Sequence, residues 1–206
     1  MPLTVVDHPL AGHLLSELRD RETTPAVFRT LTRRLTAVLA LEATRDLPST
    51  ARRVPTPLEE TEGRALAGIV AVPVLRAGLG MLEAVTDLFP DVSVGYIGLE
   101  RDEETLEPTE YYEKLPPVAG EHVLLMDPML ATGGSAARAV TSITAKGPAT
   151  VRMICVVAAP EGVKAMEEAH PSVRVFAASL DRQLNDRGYI LPGLGDFGDR
   201  LYGTEP

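Results

Sequence analysis

Cysteine, tryptophan and basic residues are the scarce ingredients of this chain. It has 1 cysteine, no tryptophan and 4% aromatic residues over 206 positions. One cysteine excludes an internal disulfide framework and fits a reducing compartment. Cys155 lies in the apolar run Met153-Ile154-Cys155-Val156-Val157, which predicts a buried core residue and not a nucleophile. No apolar run approaches the roughly 18 residues a membrane span needs. The opening Met-Pro-Leu-Thr-Val-Val-Asp-His carries neither the basic nor the apolar region of a signal peptide. A cytoplasmic protein is therefore expected. Lys and Arg number 20 against 29 Asp and Glu, a net charge of −9. That balance disfavours non-specific binding to nucleic acid or a membrane surface. The 4 histidines show no metal-ligand spacing, there is no Cys/His cluster, and no Ser-His-Asp arrangement can be argued.

What is present is a globular composition, 45% hydrophobic and 22.1 kDa, enough for one domain over residues 1–206 with a substantial core. Helical periodicity predicts a short helix over 10–18 and a second from Thr24, as N-cap before Pro25, to about Glu42. Residues 49–67 are polar and proline-bearing and read as an extended crossing. Apolar runs predict strands at 68–75, 92–99, 123–126, 151–159 and 173–178, with helices at 81–89, after 135, and at 161–169. Pro73 is uncommon inside a strand and points to a bulge or the strand's end. Strands alternating with helices imply a parallel, doubly wound sheet, and such sheets bind ligands at their strands' C-terminal ends.

The stretch His-Val-Leu-Leu-Met-Asp-Pro-Met-Leu-Ala-Thr-Gly-Gly-Ser, residues 122–135, organises the rest. A buried strand ends in Asp127, a glycine-bearing turn follows, and a helix begins. Backbone amides and the helix dipole would both point at a bound phosphate there. Spacing alone also fits a plain strand-to-helix turn whose Thr and Ser cap the helix. The string is not a P-loop, because no Gly-Lys-Ser/Thr follows the glycines, and it lacks the Gly-x-Gly-x-x-Gly of a dinucleotide site.

The string Asp127, Pro128, Met129, Leu130, Ala131, Thr132, Gly133, Gly134 and Ser135 closely resembles the phosphoribosyl-diphosphate (PRPP) loop of phosphoribosyltransferases. Pro128, where many members carry a second acid, narrows the likeness to the uracil branch. The segment Val-Pro-Val-Leu-Arg-Ala-Gly-Leu-Gly-Met at 72–81 resembles that branch too, as does the C-terminal string from Leu184 through Tyr189-Ile190 and Gly195-Asp196-Phe197 to Arg200. The likeness runs over nearly the entire chain.

That resemblance implies a type I phosphoribosyltransferase-like α/β fold: a mainly parallel twisted sheet flanked by helices, with a small hood from the N- and C-terminal segments. It implies transfer of 5-phosphoribosyl from PRPP to uracil, giving UMP and diphosphate, with Mg²⁺ carried mainly by the donor. Arg76 and Arg101 correspond to the phosphate-binding arginines. Their forked, permanently charged guanidiniums suit a diphosphate. Asp127 and Arg101 would serve catalysis, the 127–135 loop and Asp196 the donor, and Ile190, Gly195, Asp196 and Phe197 the uracil. The resemblance also implies a homo-oligomer and raises GTP as an effector. Glu100 stands where the family has tyrosine or a small residue, and Phe197 replaces a small residue. The polar segment from Asp102 to Pro117 reads as a lid or a solvated hairpin. The rival readings are a nucleic-acid-binding regulator of the same fold, which the −9 charge disfavours, and a phosphoribosyltransferase for another base.

Overall fold

The computed structural model describes residues 3–101 and 108–204, without the side chains of 100, 101 and 108–110. In chain order the elements are β1 (Leu3–Val5), α1 (Pro9–Arg19), α2 (Pro25–Thr44), β2 (Ser49–Pro55), β3 (Glu60–Leu66), β4 (Ile69–Leu75), α3 (Leu79–Leu88), β5 (Ser93–Val94), β6 (Tyr96–Arg101) and β7 (Pro108–Lys114). There follow β8 (His122–Met126), β9 (Met129–Leu130), α4 (Gly134–Thr144), β10 (Thr150–Ala158), α5 (Pro160–Ala169), β11 (Arg174–Leu180), β12 (Gln183–Leu184), β13 (Ile190–Leu191) and α6 (Phe197–Tyr202).

The main sheet runs β1-β11-β10-β8-β4-β6-β7, with β5 added to β4 and β9 to β10. Its pairings are parallel except for antiparallel β7. Alternation along the central strands explains why they read as continuous apolar runs. On β4, Ile69 and Ala71 face a core shared with α1, α2, α3 and α6, while Val70, Val72 and Val74 face one shared with α4 and α5. The same split holds on β8, with Leu124 and Met126 against Val123 and Leu125, and on β10, with Ile154 and Val156 against Met153 and Cys155. Both faces are covered, so the central positions are apolar almost throughout, with Arg152 on β10 the buried exception. Cys155 is fully buried, as expected; burial, with the nearby Asp127 charge, pushes its thiol well up.

Several expectations change. Residues 49–67 form a hairpin, β2 paired with β3 from Ser49↔Leu66 to Pro55↔Glu60, and not a simple crossing. Most of its side chains are exposed, so it carries no hydrophobic alternation to announce it. Pro73 sits inside β4 and does not end it. On one side it lies opposite Met126; on the other it falls between the β5 pairing at Val70 and Ala71 and the β6 pairing at Val74 and Leu75, where its missing N–H interrupts no continuous partner. The expected strand 92–99 is broken at Gly95 into β5 and β6. Thr24 is the N-cap before Pro25, as expected, but it caps through its main-chain carbonyl, which accepts from Phe28 N at 2.8 Å, and makes no side-chain capping bond. The Asp102–Pro117 segment contains β7, which pairs with β6 as a hairpin, while 102–107 lies outside the described residues. No helix among the described residues is long and apolar enough to cross a membrane.

Candidate active site

Two adjoining cavities open at the C-terminal ends of β4 and β8. The first, about 330 Å³, is lined by Arg76 and Ala77 beyond β4, by Asp127 beyond β8, by Met129 to Gly133 and Ser135, and by Asp196, Phe197 and Gly198. The second, about 290 Å³, is lined by Arg187 to Ile190 and Gly195 to Phe197. Met129, Ala131, Asp196 and Phe197 border both. The structure thus brings the acid, the glycine-bearing loop and the distant C-terminal string to one cleft.

The loop is built by strand exit and close helix packing. Asp127 follows the last residue of β8, with its N–H on Ile154 O at 3.2 Å and its carboxylate 3.5 Å from Met129 N. β9 then joins β10 briefly, and Ala159 N–H ties to Leu130 O at 2.9 Å. Gly133 occupies the N-cap of α4 in the left-handed region, φ 84°, ψ −11°. A Cβ there would also stand 2.9 Å from Gly162 O and 3.0 Å from Ala165 Cβ on α5. Reciprocally, a Cβ on Gly162 would stand 2.4 Å from Ala131 O and 2.8 Å from Leu130 O. These two glycines let loop and helix touch backbone to backbone. Past Gly133, the first-turn N–H groups of α4 have no intrahelical acceptors, and its first turn has no acid to oppose an anion. Thr132 and Ser135 line the cavity, and the N-cap residue offers α4 no side-chain bond.

Arg76 is exposed at the rim, the Leu75–Arg76 peptide is cis, and Arg76 O accepts from Tyr202 Oη at 3.0 Å. Burial raises the Tyr202 phenol, partly countered by Arg76, so it stays a donor at neutral pH. Asp196 is the N-cap of α6 and accepts from Asp199 N at 2.9 Å. Phe197 is only 2% exposed, its ring edge-on to Phe28 at 5.0 Å. The replacement of a small residue there fills core space while the adjoining main chain borders the cleft.

Of the expected site residues, Arg76, Asp127, Met129, Leu130, Ala131, Thr132, Gly133, Ser135, Asp196 and Phe197 line the first cavity, and Ile190, Gly195, Asp196 and Phe197 the second. Pro128 and Gly134 line neither. Pro128 is buried with its carbonyl accepting from Val156 and Val157 N–H, and Gly134 is the first residue of α4. The Arg101 and Glu100 side chains lie outside those described. Leu99, Arg187 and Tyr189 join the lining without a sequence signal of their own; the latter two lie within the C-terminal string, whose continuity could have found them. Among the described residues, no group of three or more His, Cys, Asp or Glu could hold a metal. Asp127 and Asp196 give the first cavity two carboxylates, a set that suits a hard cation arriving on phosphates.

The family model for uracil phosphoribosyltransferase matches residues 5–204. The chain is 49% identical to a curated uracil phosphoribosyltransferase of Symbiobacterium thermophilum over 98% of its length and 99% of the relative's. It is 50% identical to one of Fervidobacterium nodosum over 98% and 100%. A solved structure from Aquifex aeolicus superposes with TM-score 0.96 at 39% identity, covering 99% of each chain. A hypoxanthine-guanine phosphoribosyltransferase of Bacillus anthracis superposes at TM-score 0.51 and 17% identity over 77% of this chain and 79% of that one, a likeness of fold.

Proposed function

The chain belongs to the uracil phosphoribosyltransferase family and transfers 5-phosphoribosyl from PRPP to uracil, and we propose that its two adjoining cavities divide that reaction between donor and base. The α4 N-terminus with Ala131, Thr132, Gly133, Gly134 and Ser135 holds the 5′-phosphate. Asp127 holds the ribose hydroxyls and faces the positive charge that develops on the ribose as the C1′–O bond to diphosphate breaks. Arg76, joined by Arg101 from β6, balances the departing diphosphate. Asp127 and Asp196 would hold the Mg²⁺ carried by the donor, and the metal would supply charge neutralisation for the leaving group. Main chain at Ile190 and at 195–197 reads uracil, whose O2, N3–H and O4 present acceptor, donor, acceptor. N1 then bonds to C1′, and its proton passes to the departing diphosphate and on to solvent. Catalysis is chiefly positioning and preorganised charge.

The observation that carries this division is the shared wall: Met129, Ala131, Asp196 and Phe197 border both cavities, so a base in one and a ribose in the other meet there. The test is turnover of PRPP with a panel of nucleobases. Uracil and 5-fluorouracil, which share one recognition edge, should both react. Cytosine places an amino donor against a backbone donor and should be rejected by about ten-thousandfold. Equal turnover of cytosine and uracil would refute the assignment of the base cavity. Activation by GTP, assembly as a homo-oligomer and a cytoplasmic site of action complete the proposal. The first two rest on the resemblance and the third on the single cysteine and the sequence's lack of signal-peptide and membrane-span features; turnover with and without GTP, sedimentation and cell fractionation test them.

A further inference from the structure

We propose that Arg19 and Asp181 are positioning residues for base recognition: their ion pair grips both main-chain polar groups of Gly193 and so sets the turn at 195–197 that reads uracil. The inference rests on the assignment of uracil to that turn. Asp181 is the first residue after β11, with its N–H on Ala158 O at 2.8 Å, and is 5% exposed. Its Oδ2 accepts from Arg19 Nη1 at 2.8 Å and from Gly193 N at 2.9 Å, and its Oδ1 from Arg19 Nη2 at 2.6 Å and Ser179 Oγ at 2.7 Å. Arg19 Nη1 also donates to Gly193 O at 2.6 Å. One fork-to-fork pair therefore takes up the N–H and the C=O of a single residue from opposite sides. Burial alone would raise the Asp181 carboxyl; Arg19, Ser179 and the Gly193 N–H outweigh it and hold it below the ordinary range.

Gly193 holds a conformation that no residue with a side chain could share here. It has φ 58°, and a Cβ would lie 2.1 Å from Ile190 O, so the chain turns tightly between β13 and the reading turn. The next carbonyl is fixed as well: Arg200 Nη1 donates to Leu194 O at 2.8 Å and to Leu18 O at 2.5 Å, and Nη2 to Asp20 O at 2.5 Å. Arg19, Leu18 and Asp20 all belong to the C-terminal end of α1 or its cap. The reading loop is thus fastened at successive residues to one helix end, and the groups so engaged are removed from the base cavity. Neither Arg19 nor Asp181 lines either cavity. They act only through Gly193. Released, Gly193 no longer holds the 195–197 turn in one place, so the main-chain donors set against O2 and O4 are no longer fixed. Loss of the pair should therefore weaken selection, not just stability.

The test is steady-state kinetics of the full-length chain, with KM for uracil and for PRPP and the uracil-to-cytosine ratio of kcat/KM, alongside thermal melting. Asp181→Asn keeps the shape but cannot accept every bond. It should raise KM for uracil about tenfold or more, leave KM for PRPP within about twofold, and lower the uracil-to-cytosine ratio. Arg19→Lys keeps the charge, loses the fork, and should shift the same quantities less. It decides the matter if Asp181→Asn does not fold. Gly195→Ala, at φ +81°, probes the reading turn independently. If Gly195→Ala raises KM for uracil while folded Asp181→Asn and Arg19→Lys leave KM and selectivity unchanged, or raise both KM values equally, the inference is overturned and the base assignment stands. If all three leave uracil binding unchanged, the base assignment falls and the inference with it.

Discussion

Replacing three glycines by alanine, one at a time, separates backbone strain from packing at the phosphate loop. Gly147, in the turn after α4, has φ +74° and nothing within 4 Å of the place a methyl group would take. A left-handed alanine costs about 1–2 kcal/mol, offset by about 0.4–1 kcal/mol from a stiffer unfolded chain, so Gly147→Ala should destabilise by about 1 kcal/mol. Gly162 is the opposite case: it lies within α5, where alanine gains about 1 kcal/mol of helix propensity, but its Cβ would press on the Ala131 carbonyl at 2.4 Å and the Leu130 carbonyl at 2.8 Å. Both are main-chain atoms of the phosphate loop, so the strain, about 1–3 kcal/mol, can be relieved only by moving α5 or the loop. Gly133 combines both burdens, φ +84° and contacts of 2.9 and 3.0 Å, and Gly133→Ala should lose about 2–5 kcal/mol. Denaturant titration gives the stabilities and initial rates give KM for PRPP. Gly133→Ala and Gly162→Ala should raise that KM about tenfold or more, because the amides they displace hold the phosphate, whereas Gly147→Ala should leave it unchanged. A Gly162→Ala protein more stable than wild type with an unchanged KM for PRPP would show that the loop yields freely, and the reasoning would fail.

Asp127→Asn should fold normally and lose about a hundredfold or more in kcat, the scale of one preorganised electrostatic group; turnover within a factor of two of wild type would remove Asp127 from catalysis. Phe197→Leu should lower the thermal midpoint by loosening the contact with Phe28 yet keep uracil-to-cytosine selectivity within a few-fold, since the side chain packs and the main chain reads; a collapse of selectivity without a drop in midpoint would reverse those roles. Asp181 and Glu113 are both held below their ordinary values, Asp181 against its burial by Arg19, Ser179 and Gly193, Glu113 by Lys146 and Ser142. Their contribution is therefore complete above the ordinary carboxylate range, 3.8 for Asp181, and is lost as pH falls through the depressed values. Melting from pH 6 to pH 2 should show wild type losing more stability below about pH 4 than Asp181→Asn does; parallel curves would contradict the direction.

The central strands are legible in the sequence because they are covered on both faces: the runs around β4, β8 and β10 admit no other reading once helices alternate with them. The β2–β3 hairpin is not, since its exposed, polar residues carry no period to detect. The site divides along the same line. The Asp127 to Ser135 stretch is contiguous, so its strand, acid, turn and helix can be read together. The opposition of Gly133 and Gly162 depends on two segments 29 positions apart meeting backbone to backbone, and nothing in either segment alone announces it. Arg19 and Asp181 are separated by 162 positions. In sequence each is an ordinary charge, and only the sheet order, which brings the end of β11 beside the end of α1, makes them a pair. Phe197 stands where the family resemblance leads one to expect a small residue, and only its burial against Phe28 shows that the ring fills core space.

These contrasts have one cause. In the proposed assignment the groups offered to phosphate and base are mostly main-chain N–H and C=O, and a main-chain group is aimed by φ, ψ and its neighbours' grip, not by its own side chain. Left-handed glycines at 133, 193 and 195 set the direction. Asp181, Arg19, Arg200 and Phe197 hold it by consuming the polar groups that must not face the cavity or by filling the space behind them. Asp196 is held in the same way, since one of its carboxylate oxygens accepts from Asp199 N at the start of α6. With Cys155 sealed in the core and protonated, the cleft holds Asp127 and Asp196 as its only carboxylates among the described lining residues. A reaction whose barrier falls through alignment of C1′ with N1 and through charge balance on the departing diphosphate needs no more than that. The residues that decide rate and selectivity therefore include several that touch neither substrate.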